Sequence, residues 1–128
     1  MQIKILNAID EIEAYQWNDL IKDNNPFCRH EFLSALEKYH CVGEQFGWIP
    51  RHIAVIDNNQ LIGGAILYEK YNNYGEFVFD HAWHNAYERH GLNYYPKLVS
   101  AIPYTPTSGV RLLTQEHNKD KVYSLLLT

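Results

Sequence analysis

A hairpin of two apolar segments near the middle of the chain constrains the fold more than any other feature. The first segment, His52–Ile56, is rich in β-branched residues, and the turn residues Asp57–Asn59 separate it from the second segment, Gln60–Tyr68. Because the second segment is apolar at consecutive positions, it predicts a strand in the interior of a sheet. Gly63 and Gly64 inside it predict a bulge or a close approach by another backbone or a ligand.

Segments with helical periodicity lie on both sides of this hairpin. The predicted helices are Asp10–Lys22, Arg29–His40, Glu76–Arg89 and Asp120–Thr128. Two further strands are predicted at Lys97–Ile102 and Val110–Leu113. The breakers Gly43, Gly47 and Pro50 predict a loop over residues 41–50. Phe77–Phe79 fits either the start of a helix or a short strand. The pattern as a whole predicts an α/β (α+β) fold.

Composition limits the class of protein. The chain has 128 residues, the size of one domain, with 15 acidic and 11 basic residues and a net charge of −4. This balance lacks the electrostatic footprint of a nucleic-acid-binding protein. We find no apolar run of the ~20 residues that a membrane span needs, and the first residues do not resemble a signal peptide. Two cysteines are too few for a disulfide framework, so we expect a cytoplasmic protein.

Aromatic residues make up 14% of the chain, and several of them lie in loops. These loop aromatics are Trp48, Tyr94, Tyr95 and Tyr104. Aromatic side chains in loops flanked by Pro or Gly are suited to a cleft that binds a sugar or a peptide. The alternative, that half of them cover the core, stays open.

Several short strings, taken in order, carry a family resemblance. They are Asn25-Pro26-Phe27, Phe32-Leu33, Leu36-Glu37, Gly47-Trp48-Ile49-Pro50, Tyr74-Gly75-Glu76-Phe77-Val78-Phe79-Asp80, Tyr94-Tyr95-Pro96-Lys97-Leu98, and Pro103-Tyr104-Thr105-Pro106 with Gly109 and Arg111. The series resembles the N-terminal third of a bacterial family of predicted N-acyltransferases, labelled as peptidoglycan biosynthesis or recognition and related to FemAB-type and GNAT-type acyltransferases. The resemblance covers residues 15–114.

The resemblance implies a GNAT-like mixed sheet flanked by helices. We therefore expect residues 1–128 to form a single GNAT-like domain, or most of one, equivalent to the N-terminal portion of a longer architecture. The implied function is the substrate-side portion of an N-acyltransferase that acts on an amine-bearing acceptor such as a peptidoglycan precursor. We expect this chain alone to be inactive. The alternative is a non-catalytic interaction or ligand-binding module that keeps the fold.

The same resemblance guides the expected cofactors and partners. GNAT proteins hold a pyrophosphate at a glycine-rich turn before a helix, whereas Gly109-Val110-Arg111 has one glycine. We therefore expect no cofactor and no appreciable binding of acetyl-CoA. The expected partners are a small-molecule acceptor, or one linked to a peptide or a sugar. The apolar last helix also predicts a homo-oligomer or a missing C-terminal half.

Six residues form the predicted site. Glu76 and Asp80, four residues apart, are the catalytic candidates, because paired carboxylates can supply a general base. The alternative is that both stabilise a helix N-terminus. Lys97 and Arg111 could meet an anionic group of the substrate or form surface salt bridges. The predicted substrate-binding residues are Tyr95, Lys97, Thr105 and Arg111. We expect all six residues to border one cleft.

Two other constellations have simpler explanations. His81, His84 and Glu88 can share a helical face, as metal ligands sometimes do, but a solvated polar face explains them as well. The sequence therefore predicts no metal site. Cys28 and His30 could form a nucleophile and base, yet no orienting third group is evident. A small buried hydrophobe is the better interpretation of Cys28.

Overall fold

The computed structural model describes residues 1–23, 25–72, 81–105, 111–115 and 118–127, with the backbone alone for His81. Within these ranges the fold is α+β, as predicted, with four α-helices and two antiparallel sheets. The strands are β1 (Gln2–Leu6), β2 (Trp48–Pro50), β3 (His52–Asp57), β4 (Gln60–Ala65), β5 (Tyr68–Lys70), β6 (Lys97–Val99) and β7 (Leu112–Thr114). The helices are α1 (Ala14–Asn18), α2 (His30–Lys38), α3 (His81–Arg89) and α4 (Lys119–Leu126).

The predicted hairpin is confirmed and lies at the centre of a four-stranded sheet with the order β1-β3-β4-β7. Asn58 and Asn59 form its two-residue turn, with φ values of 51° and 62°, as a type I′ turn requires. The register of β3 and β4 shifts by one residue here: Val55 pairs with Gly63, whereas the next residue, Ile56, pairs with Leu61. Ile62 is therefore the extra residue of the predicted bulge.

Helices cover both faces of β4, which explains why its sequence is apolar on both sides. A Cβ atom at Gly64 would lie 2.8 Å from Cζ3 of Trp17 on α1, and one at Gly63 would overlap the side chain of Val122 on α4. The close approach at these glycines is thus made by helix side chains, whereas the sequence predicted another backbone or a ligand. Both glycines are needed because no other residue leaves room for these contacts.

The hairpin continues beyond the four-stranded sheet into the second one. One register runs from the Trp48–Lys70 pair to the Val55–Gly63 pair, so β2 and β3 face β5 and β4 throughout. β6 pairs with β5 and completes a three-stranded sheet with the order β2-β5-β6. The predicted loop over residues 41–50 was therefore wrong at its end. Trp48–Pro50 is a strand because β5 supplies a partner for it.

The main core lies between the hairpin and the first two helices. Its largest fully buried side chains include Trp17, Leu33, Trp48 and Tyr68. A second, smaller core on the opposite face combines Val55, Ile62 and Val122. Burial of this apolar area is the main favourable contribution to folding.

Three other predictions required correction. β1 was not predicted, because its partner β3 lies about fifty residues away. The predicted helix Asp10–Lys22 is a 3₁₀ turn, Ile9–Glu11, followed by the short α1. The break falls at Ile12, whose carbonyl contacts Nε2 of His30 at 2.8 Å instead of continuing a helix. The strand predicted at Lys97–Ile102 ends at Val99, because β5 has three residues and each pairs with one residue of β6. None of the helices in the described ranges is long and apolar enough to cross a membrane.

Candidate functional site

The four predicted substrate-binding residues lie in two regions of the fold. Tyr95 and Lys97 precede and begin β6 of the three-stranded sheet. Thr105 follows β6, and Arg111 precedes β7 of the four-stranded sheet. Glu76 and Asp80 lie outside the described residues, so their role as catalytic candidates stays a prediction.

Tyr95 and Lys97 belong to a surface group that we call the tyrosine cluster: His84, Tyr87, Tyr94, Tyr95 and Lys97. The ring centroid of Tyr94 lies 5.0 Å from that of Tyr87, 5.1 Å from that of Tyr95 and 5.8 Å from that of His84. The His84 ring stacks on Tyr94 and meets Tyr95 edge-on at 5.1 Å. Such pairs add about 0.5–1.5 kcal/mol each beyond the area they bury. The rings therefore hold one another in place.

The end of α3 positions this cluster. Gly91 adopts a φ of 72°, and Leu92 donates a backbone hydrogen bond of 2.8 Å to the carbonyl of Tyr87. These are features of a Schellman cap, and they confirm the predicted role of Gly91 at the helix end. The chain then reverses and returns Tyr94 over the helix face that carries Tyr87 and His84.

One lysine, Lys97, lies beside the rings of the tyrosine cluster. Nζ of Lys97 is 5.0 Å from the ring centroid of Tyr94 and 5.4 Å from that of Tyr95. Lys97 also pairs in register with Lys70, so both side chains lie on the same face of the sheet. Nζ of Lys70 is buried 4.0 Å from the centroid of Trp48. Aromatic faces stabilise both cations. Lys70 is fully buried and donates to Oδ1 of Asn72 at 3.2 Å, so Lys97 is the cation of the two that solvent reaches.

The other two predicted substrate residues contact different parts of the molecule. The Thr105 hydroxyl donates to the carbonyl of Pro103 at 3.0 Å. Nη1 of Arg111 lies 3.7 Å from Sγ of Cys28, in the main core beside the four-stranded sheet. The structure thus brings Tyr95 and Lys97 together and places Arg111 beside Cys28. The single cleft around all six residues stays a prediction.

Cys28 has the environment of a structural thiol. Burial raises the pKa of its Sγ above the usual value, and Arg111 opposes this effect only in part. Nε2 of His30 meanwhile contacts the carbonyls of Ile9 and Ile12 at 3.0 and 2.8 Å. The thiol is therefore protonated at neutral pH, and the imidazole is engaged elsewhere. This agrees with the interpretation of Cys28 as a buried hydrophobe.

Ser34, His30 and Asp10 meet in space and have the residue types of a hydrolase triad. The Ser34 hydroxyl, however, donates to Oδ1 of Asp10 at 2.8 Å, and Nε2 of His30 lies 3.8 Å from the same oxygen. A triad needs the hydroxyl to face the imidazole and the carboxylate to lie behind it. This cluster joins α2 to the Ile9–Glu11 turn and does not activate a nucleophile.

A buried polar pair that the sequence analysis missed joins the helices to the hairpin. His52 is fully buried, with Nε2 3.3 Å from Oε2 of Glu37 and Nδ1 accepting from the amide of Leu67 at 3.2 Å. Oε1 of Glu37 accepts from the amide of Ile9 at 2.9 Å. A histidine in an apolar strand and a glutamate beside an apolar helix stripe were the available signals.

The histidine face of α3, which the sequence analysis weighed as a metal site and set aside, carries an ion pair. Oε1 of Glu88 lies 3.1 Å from Nε2 of His84, and this contact orients the imidazole within the tyrosine cluster. No group of three His, Cys, Asp or Glu side chains lies close enough to hold a metal ion within those ranges. The side chain of His81 lies outside them.

The fold and the tyrosine cluster define an α+β protein with an aromatic and cationic surface at one edge. Residues 8–128 match the model of the FemAB-like family, described as peptidoglycan biosynthesis/recognition. The chain belongs to the FemAB-like family, as its sequence motifs predicted. No curated protein and no solved structure matches it.

Proposed function

We propose that the chain is the substrate-side portion of a FemAB-like N-acyltransferase that acts on an amine-bearing acceptor derived from peptidoglycan. In this proposal residues 1–128 form a GNAT-like domain and correspond to the N-terminal portion of a longer architecture. Family membership supports the link to peptidoglycan. The tyrosine cluster, with Lys97 against two aromatic rings, is the observation that carries the assignment.

The chemistry of the cluster fits such an acceptor. Peptidoglycan precursors join sugar rings, which have apolar C–H faces, to a short peptide that bears carboxylates and an amine. Tyrosine rings offer a rigid apolar surface for the C–H faces. The ammonium of Lys97 offers a charge-assisted hydrogen bond to a carboxylate. Glu76 and Asp80 are the proposed bases that accept a proton from the acceptor amine as it attacks the acyl carbonyl.

Binding of a soluble disaccharide–peptide fragment of peptidoglycan tests this proposal. We expect Lys97→Gln to weaken binding about tenfold, because a hydrogen bond to a charged group contributes about 1.5 kcal/mol or more. Lys119→Gln is the matched control, since Nζ of Lys119 also lies over a tyrosine ring, that of Tyr123, at 5.8 Å. Equal affinities for Lys97→Gln and the parent protein, measured by calorimetry, would overturn the proposal.

A binding module without acyl transfer is the second candidate. The described histidines and carboxylates favour it, because His30, His52 and Glu37 are engaged in structural hydrogen bonds. Mass spectrometry of the peptidoglycan fragment, after incubation with the protein and a panel of activated acyl donors, tests for acyl transfer. A mass gain on the acceptor amine indicates a transferase and excludes the module, whereas binding without a mass gain is expected both for the module and for a substrate-side portion that is inactive alone.

A further inference from the structure

A polar groove lies at the hairpin turn of the four-stranded sheet. It has a volume of about 470 Å³ and lies between α1, the Asn58–Asn59 turn and the residue that follows β7. Its polar lining comprises Tyr15, Gln16, Asp19, Asn59, Gln60 and Gln115, with Asn58 beside them. It shares no residue with the tyrosine cluster.

Carboxamides dominate this lining. A carboxamide presents donors and an acceptor in one plane, which matches the hydroxyl and acetamido groups of a sugar. The side chains of Asn58, Asn59 and Gln60 form no hydrogen bond with the part of the chain that the structure describes. They are exposed and available to a ligand. No Lys or Arg belongs to the described lining, so the groove lacks the cations that a phosphate or carboxylate ligand needs.

Several groups around the groove are held in place before any ligand binds. Oε1 of Gln16 accepts from the amide of Leu61 at 3.0 Å, and its Nε2 donates to the Tyr15 hydroxyl at 3.3 Å. Asn118 donates to Oε1 of Gln115 at 3.1 Å and orients that carboxamide. Tyr15 is 65% exposed, so its ring is available for stacking while its hydroxyl is anchored.

The hairpin turn itself supplies two carboxamides to the groove. A type I′ turn requires positive φ at both central positions, which glycine satisfies without a side chain. This chain has asparagine at both positions, and each places a carboxamide at the mouth of the groove. We propose that the groove binds a neutral saccharide unit, with the Tyr15 ring against the sugar and carboxamides on its polar groups. This inference does not rest on the proposed function.

Titration of ¹⁵N-labelled full-length chain with the uncharged trimer of N-acetylglucosamine tests the proposal directly, because Asn and Gln side-chain amides have their own NMR signals. We expect shifts at the amides of Gln16, Asn59 and Gln115 and about tenfold weaker binding in Tyr15→Ala, the size expected for loss of an aromatic contact. Tyr39→Ala, which removes an exposed aromatic outside the groove, is the control. The double variant Asn58→Gly/Asn59→Gly keeps the turn geometry and is expected to weaken binding.

The outcomes also separate this inference from the proposed function. Shifts confined to residues of α3 and β6 would overturn the saccharide groove and leave the tyrosine cluster as the binding surface. Absence of any shift at millimolar trimer would overturn it too. Affinity that falls steeply with added salt would contradict a neutral ligand, since screening weakens interactions between charges.

Discussion

At the scale of single residues, Gly63 and Gly64 decide how closely the helices approach the hairpin. Gly63→Ala places a methyl group against the Val122 side chain, and overpacking of this kind costs about 1–3 kcal/mol. We expect the urea midpoint to fall accordingly. The double variant Gly63→Ala/Val122→Ala removes the overlap and serves as the control. If the double variant loses as much unfolding free energy as the two single variants together, the contact between these residues does not limit packing.

Tyr68 gives a second prediction at this scale. Its hydroxyl is buried and has no hydrogen-bond partner in the described ranges, and burial, with a smaller effect from Glu37, raises its pKa. An unsatisfied buried hydroxyl costs about 1–3 kcal/mol, so Tyr68→Phe is expected to raise the free energy of unfolding at pH 7. A loss of stability in Tyr68→Phe would reveal a partner for the hydroxyl.

The same residue predicts a pH dependence. Above the ordinary pKa of about 10, the unfolded state releases the Tyr68 proton while the folded state keeps it. The folded state then binds more protons, and the free energy of unfolding falls as pH rises. Urea titrations at pH 9, 10 and 11 measure this slope. Tyr68→Phe is expected to show a shallower slope than the exposed control Tyr39→Phe, and equal slopes would contradict the assignment.

At the scale of elements, His52 and Glu37 join α2 to the point where the hairpin passes from one sheet to the other. Glu37→Ala leaves the buried donors of His52 and Ile9 without their acceptor, and we expect it to cost about 3 kcal/mol. Glu37→Gln keeps an acceptor oxygen for Ile9 and is expected to cost less. Urea unfolding measures both variants. Equal costs would show that the junction needs the carboxylate itself, because Glu37→Gln keeps the packing of the side chain and Glu37→Ala does not.

How well each strand could be predicted depends on how far its pairing partner lies from it in the sequence. The hairpin was predicted because its strands are adjacent in sequence and its turn chemistry is local. β1 was not predicted, because it pairs with a strand distant in sequence and that pairing leaves a weak local signal. β6 was predicted with the correct start, but its end depends on its distant partner β5. Tyr95 was predicted as a loop aromatic and Lys97 as a cation at a strand start, but His84 and Tyr87 were not grouped with them. Their contact depends on how the chain reverses after Gly91, which periodicity does not encode.

At the scale of the whole molecule, the four-stranded sheet ends at β1, whose outer edge faces no other strand within the described ranges. Ile3 and Ile5 on this strand are 48% and 62% exposed. They share a sheet face with Val55 and Ile53, their partners in register. α4 packs on the same face through Val122, and Leu127, the residue that follows this helix, is also exposed.

An edge strand with exposed apolar side chains favours pairing with a second copy, because its free backbone groups and apolar side chains are then both satisfied. We therefore expect light scattering to show a concentration-dependent rise in mass above that of the 15.0 kDa monomer. Ile5→Lys places a charge on the edge and is expected to shift the equilibrium to the monomer, whereas Tyr39→Lys, on the C-cap of α2, should not. A monomer at millimolar concentration would contradict the prediction. If the Ile5→Lys variant still associates, the contact between copies lies on a surface other than β1.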